Sequence, residues 1–274
     1  MTQSDHPSLR VAIGGFGAIG RVIAQRLDAG IPGLELVAVS ASRLEKAQKH
    51  MVSFSHPVTV VALNELADQA DVIVECAPAA VFDEIAEPAI DAGRIFVPLS
   101  VGALLSRDAL IKKAEKTGAR IIVPTGALIG LDAVRAAAEG TIHSVKLVTR
   151  KPPAGLQGAP YLEEHNISLD GLTEPLKIFE GSAREGIKGF PANVNVGAAL
   201  SLAGIGPDET QIEIWADPSI DRNIQHVEVE ADSARFEMTI ENIPSPENPR
   251  SGRITALSAI AALRGLVSPL KVGT

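Results

Sequence analysis

The sequence predicts a two-domain α/β protein, in which a Rossmann-type doubly wound parallel sheet is followed by a smaller α+β domain with an antiparallel sheet. A glycine-rich motif lies between an apolar run and a helical pattern near the start of the chain. Strand and helix patterns then alternate to about residue 124, and later segments alternate apolar with polar residues. The length of 274 residues is enough for about two domains.

Composition and charge exclude several classes of protein. The net charge of −8 and the aromatic content of 3% are unlike a general nucleic-acid binder. A single cysteine, Cys76, rules out an intramolecular disulfide framework and a multi-cysteine zinc site. Residues Met1–Pro7 lack the apolar stretch of a secretion signal, and no segment reaches about 18 uninterrupted apolar residues. We therefore expect a cytoplasmic protein with neither nucleic acid nor a membrane as a partner.

The most informative local signal is a glycine motif that favours dinucleotide binding. Gly15, Gly17 and Gly20 fit the pattern G-x-G-x-x-G. The first glycine permits a tight turn, the second lets a pyrophosphate approach the backbone, and the third lets helix and strand pack closely. The helix that follows offers unpaired N–H groups to the phosphates. The cofactor contacts predicted from this turn are Gly15, Phe16, Gly17, Ala18 and Ile19.

The context of the motif strengthens this prediction. Leu9–Ile13 is an apolar run typical of a buried strand, Arg21–Leu27 has helical spacing, and Leu34–Val39 predicts a second strand. The motif therefore lies inside one βαβ unit, where the dinucleotide fingerprint belongs. The alternative, a glycine-rich turn that binds nothing, is disfavoured by this context.

The alternation continues and predicts a parallel sheet covered on both faces. Further strands are predicted at Asp71–Cys76, Arg94–Ser100 and Ala119–Pro124, and further helices at Val81–Ala92 and Leu105–Thr117. Ligands bind such sheets beyond the carboxyl ends of the strands. The candidate cofactor contacts at those ends are Ser40, Ala77, Ser100 and Gly126, each with an ordinary loop residue as the alternative.

The end of the second predicted strand bears on the choice between NAD and NADP. An acidic residue there would bind the ribose hydroxyls and disfavour a 2′-phosphate, but no acid occurs before Glu45. Ser40 and Ser42 can donate hydrogen bonds, and Arg43 can pair with a phosphate. We expect NADP to be accepted. The alternative is that Arg43 only begins the next helix as a solvated charge.

From about residue 130 the pattern becomes typical of a sheet with one wet face. The predicted strands are Ser144–Arg150, Lys177–Gly181, Glu209–Ala216, His226–Ala231 and Ala234–Glu241. Helices are predicted after the S-x-x-E capping box at Ser182–Glu185, at Pro191–Leu202 and at Ile254–Leu266, with a loop over 154–176. We expect a dinucleotide-binding domain of residues 1–130, with 250–274 packing back on it, and a substrate and dimerisation domain of residues 131–249.

At this point the sequence resembles the L-aspartate dehydrogenase family over nearly its whole length. The segments that carry the resemblance are the glycine motif, Val74–Ala77, Pro124–Ala127, Arg150–Pro153, Phe179–Ala183, Pro191–Val196, Ala216–Pro218 and Glu241–Pro249. The resemblance implies reversible, NAD- or NADP-dependent deamination of L-aspartate to oxaloacetate and ammonia. Its intermediate, iminosuccinate, can feed pyridine nucleotide biosynthesis. It also implies a homodimer, and contacts from Gly126, Ala127 and Asn195 to the nicotinamide end of the cofactor.

The chain departs from the family at the position of the catalytic histidine. The family carries that histidine two residues after an asparagine that corresponds to Asn223, and Gln225 occupies the position here. His226 comes one residue later, and one residue reverses the side-chain direction on a strand. Either a local bulge turns His226 into the site, or Gln225 points there instead. The prediction is that His226 is catalytic, since a glutamine cannot take a proton at neutral pH.

A dicarboxylic substrate needs cationic partners, and the second domain supplies several. The candidates, each with a solvated surface position as the alternative, are Arg150, Lys151, Arg184, Lys188 and Arg222. The remaining histidines lack metal-ligand spacing, and Cys76 fits a small core residue better than a nucleophile. No metal site is predicted.

Two other functions stay open at this stage. One is another reductase of an amino acid or imine, related to homoserine dehydrogenase or dihydrodipicolinate reductase. The other is a protein that binds NAD or NADP without catalysis, which the displaced histidine favours. An assay with a panel of substrates distinguishes these two functions from aspartate dehydrogenase, because the non-catalytic protein would turn over none.

Overall fold

The computed structural model describes residues 7–191, 194–245 and 248–273, with the backbone alone for 248–251. Parts of three sequence predictions lie outside the described residues, namely most of the starting segment, Ala192–Asn193 and Pro246–Glu247. The chain divides into two compact units. The first consists of Met1–Pro124 and Ala256–Lys271, and the second of Thr125–Thr255 and Val272–Thr274. Residues 122–130 form one loop, and it contains both Thr125, where the second unit begins, and residue 130, where the sequence analysis places the division.

The first unit is a parallel sheet with helices. Its strands are β1 (Leu9–Gly14), β2 (Leu34–Ser40), β3 (Thr59–Val60), β4 (Val72–Glu75), β5 (Ile95–Pro98) and β6 (Arg120–Ile121). Its helices are α1 (Ala18–Asp28), α2 (Leu44–Met51), α3 (Leu66–Gln69), α4 (Phe82–Asp91) and α5 (Asp108–Thr117). The strand order is β3-β2-β1-β4-β5-β6, and all pairs are parallel. This order is that of the doubly wound dinucleotide-binding fold, with β1 and β4 at the switch point, so the predicted Rossmann-type sheet is confirmed.

The core of this unit explains why its strands are apolar throughout. Val11, Ala12 and Ile13 are all completely buried, as expected of a strand covered on both faces. The last helix, α10 (Ile254–Val267), adds four buried residues to the same core. Those residues are Ala256, Ala259, Ile260 and Leu263. Helix α10 therefore completes the hydrophobic core of the first unit.

The second unit is built on a five-stranded sheet. Its strands are β7 (Ile142–Lys151), β8 (Leu176–Ser182), β9 (Gln211–Ala216), β10 (Asn223–Ala231) and β11 (Arg235–Asn242), followed by the short pair β12 (Pro244–Ser245) and β13 (Asn248–Gly252). Its helices are α6 (Leu131–Ala137), α7 (Pro160–Glu164), α8 (Ala183–Gly189) and α9 (Asn195–Ala203). The order of the large sheet is β11-β10-β7-β9-β8.

Two predictions for this unit need correction. The sheet is mixed rather than antiparallel, because β7 and β9 pair in parallel. Residues 152–210 lie between these two strands, which is ample for the crossover that a parallel pair requires. The predicted loop over 154–176 contains α7, which begins at Pro160, a residue well suited to the first helical position.

One face of this sheet is packed against helices. A methyl group at Gly197 of α9 would lie 2.4 Å from Ile212 Cδ1 and 3.5 Å from Leu147 Cδ2. The helix backbone therefore packs closely on side chains of the sheet, and a larger residue at position 197 would push Ile212 aside. The predicted capping box is present, since Ser182 Oγ accepts a hydrogen bond from the backbone N–H of Glu185 at the start of α8. We call this side of the sheet the helix-covered face.

Candidate active site

The glycine turn of the first unit has the geometry that a pyrophosphate requires. Gly15 has a φ of +102°, and a methyl group there would lie 2.6 Å from the carbonyl oxygen of Cys76. A methyl group at Gly20 would lie 2.1 Å from the carbonyl oxygen of Gly15. By contrast, no atom lies within 4 Å of a methyl group built at Gly17. Two glycines are thus needed for packing, and the third leaves open space beside the backbone.

The start of α1 is equally suited to an anion. Gly17 is the N-cap residue, and among the described residues no side chain caps the helix. Ala18 and Ile19 are its first residues, so their backbone amides lie where helix N–H groups lack partners in the helix. Phe16 packs edge-to-face on Phe54, with ring centroids 6.5 Å apart, which fixes the turn. These residues fit the phosphates of a dinucleotide.

Two residues at the end of β2, Ser40 and Arg43, have different environments. Ser40 is buried, and its carbonyl oxygen accepts a hydrogen bond from the N–H of Gly15 over 3.1 Å. Arg43 is exposed and is the N-cap residue of α2. Within the described part of the chain no ion pair engages its guanidinium. Arg43 is therefore available to a ligand, while Ser40 holds the glycine turn.

A buried carboxylate at the end of β4 was missed by the sequence analysis. Glu75 has no exposed surface. Its oxygens accept hydrogen bonds from the backbone N–H of Ala77 over 2.9 Å and of Ser100 over 2.9 Å, and from Ser100 Oγ over 3.1 Å. Burial raises the pKa of the Glu75 carboxyl, and the hydrogen bonds from Ser100 and Ala77 oppose that rise. Glu75 thus fixes two candidate cofactor contacts, Ala77 and Ser100. The sequence does contain a sign of this buried carboxylate, because Glu75 is an acidic residue in an otherwise apolar strand.

Three predicted contacts to the nicotinamide end lie in the second unit. Gly126 has a φ of +66°, which an L-residue rarely adopts. The carbonyl oxygen of Ala127 accepts a hydrogen bond from Asn242 Nδ2 over 3.1 Å. Asn242 is buried, and its Oδ1 has no partner among the described residues. Asn195 is the first residue of α9. The asparagine at the end of β11 therefore fixes the segment predicted to hold the nicotinamide.

The pairing of β10 decides the positions of Gln225 and His226. Gln225 pairs with Thr149, and the register runs without a shift from Asn223 to Glu230 against β11 and from Ile224 to Glu230 against β7. The bulge, which was one of the two alternatives for His226, is therefore absent from this part of the strand. Gln225 is only 3% exposed and lies on the helix-covered face, where Thr149 Oγ1 donates a hydrogen bond to Gln225 Oε1 over 2.7 Å.

His226 lies on the opposite face of the same strand. Its side chain is 32% exposed, and its Nδ1 is 2.8 Å from Thr239 Oγ1. Its Nε2 lies 3.4 Å from Glu228 Oε1 and 3.9 Å from Glu237 Oε2. The structure thus brings Gln225, and not His226, onto the face that the helices cover.

The helix-covered face changes from apolar to polar along β7. Val145 and Leu147 are buried there, and they are followed on the same face by the buried polar residues Thr149 and Lys151. On β10 the buried residue Val227 is preceded on the same face by Gln225. Since β7 and β10 are antiparallel, the polar residues of both strands lie at one end of the sheet. We call Thr149, Lys151, Asn223 and Gln225 the polar end of the sheet.

Three of the other candidate cations form ion pairs with acidic side chains. Arg150 Nη1 lies 3.3 Å from Asp217 Oδ2, and its guanidinium lies 4.9 Å from the centre of the Trp215 ring. Arg184 and Arg222 pair with acidic neighbours over 2.6 and 2.7 Å. Lys188 is on α8. Lys151 differs from all of these because its side chain is buried.

Two kinds of feature are absent from the residues that the structure describes, a metal-binding cluster and a membrane-spanning helix. No group of three or more histidine, cysteine, aspartate or glutamate side chains is arranged to hold a metal ion. No described helix has both the length and the apolar character needed to cross a membrane. The one cysteine, Cys76, is unpaired, and desolvation raises the pKa of its thiol well above the ordinary value.

Two known protein families match the chain, one over its first part and one over its second part. Residues 132–266 match the model described as aspartate dehydrogenase, C-terminal. Residues 15–124 match the model described as homoserine dehydrogenase, NAD binding domain.

Similar curated proteins match the chain along its whole length. L-aspartate dehydrogenase 3 of Bordetella bronchiseptica is 55% identical over 273 residues, which cover 99% of this chain and 100% of that protein. L-aspartate dehydrogenase of Bradyrhizobium diazoefficiens is 56% identical over 272 residues, which cover 99% of this chain and 96% of that protein. The enzyme of the same name from Methanosarcina acetivorans is 40% identical over 270 residues, covering 97% of this chain and 100% of that one.

Solved structures share the fold. The crystal structure of aspartate dehydrogenase from Thermotoga maritima superposes with a TM-score of 0.72 at 23% identity, covering 97% of this chain and 99% of that one. The structure of GenD2 from gentamicin A biosynthesis, in complex with NAD, gives a TM-score of 0.53 at 18% identity, covering 100% of this chain and 91% of that one. At these identities the likeness concerns the fold alone.

Proposed function

The chain belongs to the L-aspartate dehydrogenase family, and from this premise we propose that it catalyses the NAD- or NADP-dependent deamination of L-aspartate to oxaloacetate and ammonia. The observation that carries the proposal is identity of 55% and 56% to L-aspartate dehydrogenases over 99% of the chain. The reaction is reversible and passes through iminosuccinate. The glycine turn and the polar end of the second sheet supply groups suited to the two ligands.

The residues of the first unit fit a nicotinamide dinucleotide. The open space beside Gly17 and the start of α1 would accept the pyrophosphate. Ala77 and Ser100, both fixed by Glu75, would line the path of the cofactor beyond the strand ends. In the second unit, Gly126, Ala127 and Asn195 would hold the nicotinamide. When bound, the nicotinamide supplies the acceptor for the hydride of the substrate.

NADP is the form that the end of β2 favours. The exposed and unpaired Arg43 lies just past that strand end, where a 2′-phosphate would need a cation. No acidic residue stands between Val39 and Leu44 to repel that phosphate. We therefore propose that NADP is accepted alongside NAD.

The polar end of the second sheet is our candidate for recognition of the dicarboxylic substrate. It combines a hydroxyl, two amides and an amine on one face of the sheet. Buried polar groups need hydrogen-bond partners, and a bound ligand would supply such partners here. Asn223 and Gln225 can donate N–H groups to carboxylate oxygens. His226, which the sequence analysis predicted as catalytic, lies on the other face, and substitution by alanine tests its role.

Assembly and location are also proposals. The face opposite the helices carries Trp215 and the ion pair of Lys146 with Glu213 over 2.9 Å, and a second copy of the chain would cover it as a homodimer. Light scattering coupled to size exclusion tests this state, and a monomer would contradict it. We propose a cytoplasmic location, which fractionation of the source cells tests.

The experiment that tests the function follows the absorbance of the reduced nicotinamide. Purified protein receives NAD or NADP with L-aspartate, and separately NADH or NADPH with oxaloacetate and ammonia. We expect turnover in both directions. Turnover of aspartate semialdehyde or a cyclic imine, with none of aspartate, would favour the alternative reductases. Tight cofactor binding without any turnover would favour a protein that binds the dinucleotide and does no chemistry.

A further inference from the structure

A buried acidic residue lies at the switch point of the first sheet. Glu75 is the last residue of β4 and has no exposed surface. Strand β4 pairs in parallel with β1 on one side and with β5 on the other, and the order of the sheet reverses between β1 and β4. In sheets of this kind, ligands bind in the crevice at that reversal. The carboxyl group of Glu75 is therefore at the edge of the sheet where the dinucleotide is expected.

The hydrogen bonds of Glu75 are those of an ionised carboxylate. Its Oε1 accepts from the backbone N–H of Ala77 over 2.9 Å and from Ser100 Oγ over 3.1 Å. Its Oε2 accepts from the backbone N–H of Leu99 over 3.2 Å and from that of Ser100 over 2.9 Å. Three of the four donors are backbone N–H groups, which cannot accept a hydrogen bond in return. A carboxylate suits these donors, since a protonated carboxyl would itself need an acceptor.

Among the side chains that the structure describes, no lysine, arginine or histidine forms an ion pair with Glu75. By contrast, Asp71 just before the other end of β4 pairs with Arg10 over 2.9 Å and with Arg94 over 3.6 Å. A buried carboxylate without a positive partner is costly, even when it accepts hydrogen bonds. Burial and the charge of Glu75 together raise the pKa of the adjacent Cys76 thiol, so this charge acts on its surroundings. A positive group on a ligand would balance it.

The part of the dinucleotide expected near Glu75 is the nicotinamide nucleoside. In this fold the adenosine ribose lies past the end of β2, and the pyrophosphate lies at the turn before α1. The other nucleoside therefore extends past the ends of β4 and β5, which Glu75 joins through Ala77 and Ser100. The glycine turn packs on the same segment, since a methyl group at Gly15 would lie 2.7 Å from the backbone nitrogen of Ala77. The oxidised nicotinamide ring is a cation, and hydride transfer makes it neutral.

We propose that the Glu75 carboxylate determines specificity for the oxidation state of the cofactor and makes this site bind the oxidised dinucleotide more tightly than the reduced one. The inference rests on the proposed function. In a cleft shielded from water, a fixed negative charge attracts the cationic ring and has little effect on the neutral one. The hydrogen bonds of Glu75 also position the ends of β4 and β5 beneath the ligand. Such binding favours capture of the oxidised cofactor that aspartate oxidation consumes, and release of the reduced cofactor that it forms.

The test measures the dissociation constants of NAD, NADH and ADP-ribose by calorimetry, with the corresponding 2′-phosphates if the parent prefers NADP. The variants are Glu75→Gln, which removes the charge and keeps the shape, and Asp71→Asn, the matched control before the other end of β4. We expect the parent to bind NAD more tightly than NADH. In Glu75→Gln the affinity for NAD relative to NADH should fall about tenfold, or about 1.4 kcal/mol, and in Asp71→Asn this ratio should stay unchanged.

The ratio separates the effect of the charge from a structural role. An amide at position 75 turns an NH2 group towards backbone N–H groups, and a resulting shift of the strand ends would weaken NAD and NADH by the same factor. An equal loss of both therefore overturns the proposal, and the affinity for ADP-ribose, which lacks the nicotinamide, shows whether the rest of the site is intact. If Glu75→Gln does not fold, the parent decides, and tighter binding of NADH than of NAD overturns the proposal.

Failure of this inference is distinguishable from failure of the proposed function. A parent that binds both oxidation states equally and oxidises aspartate contradicts the role of the Glu75 charge alone. A parent that binds neither NAD nor NADP contradicts the proposed function, and this inference falls with it.

Discussion

Thr149 Oγ1 donates a hydrogen bond to Gln225 Oε1 over 2.7 Å, across two antiparallel strands and beneath the helices of the second unit. This contact fixes the side-chain direction of β10 at the position where the sequence analysis expects the family's histidine. Gln225 is thereby part of the buried polar end of the sheet, and the next residue, His226, is on the other face.

The first prediction concerns the stability of that contact. Thr149→Val keeps the shape of the side chain but removes the donor to a buried oxygen. We expect the free energy of unfolding to fall by about 1 to 3 kcal/mol, the cost of an unsatisfied buried polar group. Urea unfolding measures it. The control is Thr239→Val, whose hydroxyl lies beside the partly exposed His226 and whose loss should cost less. Equal losses in the two variants would show that burial of the contact does not matter.

The second prediction concerns His226. Because its side chain points away from Gln225 and lies beside Thr239 and Glu228, His226→Ala should leave kcat for aspartate within about twofold of the parent, a change of less than about 0.5 kcal/mol. Steady-state kinetics at pH 7 and 9 check this. A loss of two orders of magnitude or more would return the histidine to the mechanism and require the strand to rearrange in the working enzyme.

The third prediction tests the dinucleotide site. Gly17→Val adds a side chain to open space, so folding should be unaffected, but the side chain should block the approach of the pyrophosphate. We expect dinucleotide affinity to fall about tenfold or more, or at least about 1.4 kcal/mol, in a fluorescence titration. Gly265→Ala, also in open space but on α10, is the control that should bind normally. Unchanged affinity in Gly17→Val would place the cofactor elsewhere.

The fourth prediction addresses the choice of cofactor. Arg43→Gln removes the exposed cation past β2, and it should weaken NADP by about tenfold, or about 1.4 kcal/mol, while leaving NAD affinity unchanged. Lys46→Gln, an exposed cation in the following helix, is the matched control. Calorimetry with each nucleotide measures both constants. A parent protein that clearly prefers NAD, or a variant that loses both nucleotides equally, would contradict the role given to Arg43.

The fifth prediction is a stability cost at Lys151. Since burial lowers the pKa of this amine from 10.5 to about 8, the fold disfavours its charged form, and the protein loses stability as the pH falls from 10.5 towards 8. Lys151→Met should therefore raise the free energy of unfolding at pH 7 by up to about 3 kcal/mol, at 1.36 kcal/mol per pKa unit. The gain should shrink towards zero near pH 10.5. Urea unfolding at pH 7 and 10 measures it, and a gain that is the same at both pH values would show that desolvation is not the cause.

Local patterns were sufficient for much of this molecule. The apolar runs from Leu9 onward, the glycine spacing and the alternation of strands with helices predict the parallel sheet, because buried parallel strands and helices leave different periods in the chain. The parallel pairing of β7 with β9 was not predictable in this way, since the partner of a strand depends on the path of the 59 intervening residues, 152–210.

The sequence by itself determined the family, the dinucleotide turn and the residue types available for chemistry, because these depend on identity and spacing along the chain. Only the tertiary structure decided which of these residues are buried and which face each one occupies. Glu75, Lys151 and Gln225 are ordinary polar residues until neighbouring strands and covering helices remove them from water, and desolvation by distant segments leaves no mark in a local pattern. The direction of His226 likewise depended on the register of β10 against two other strands, which a single strand does not specify.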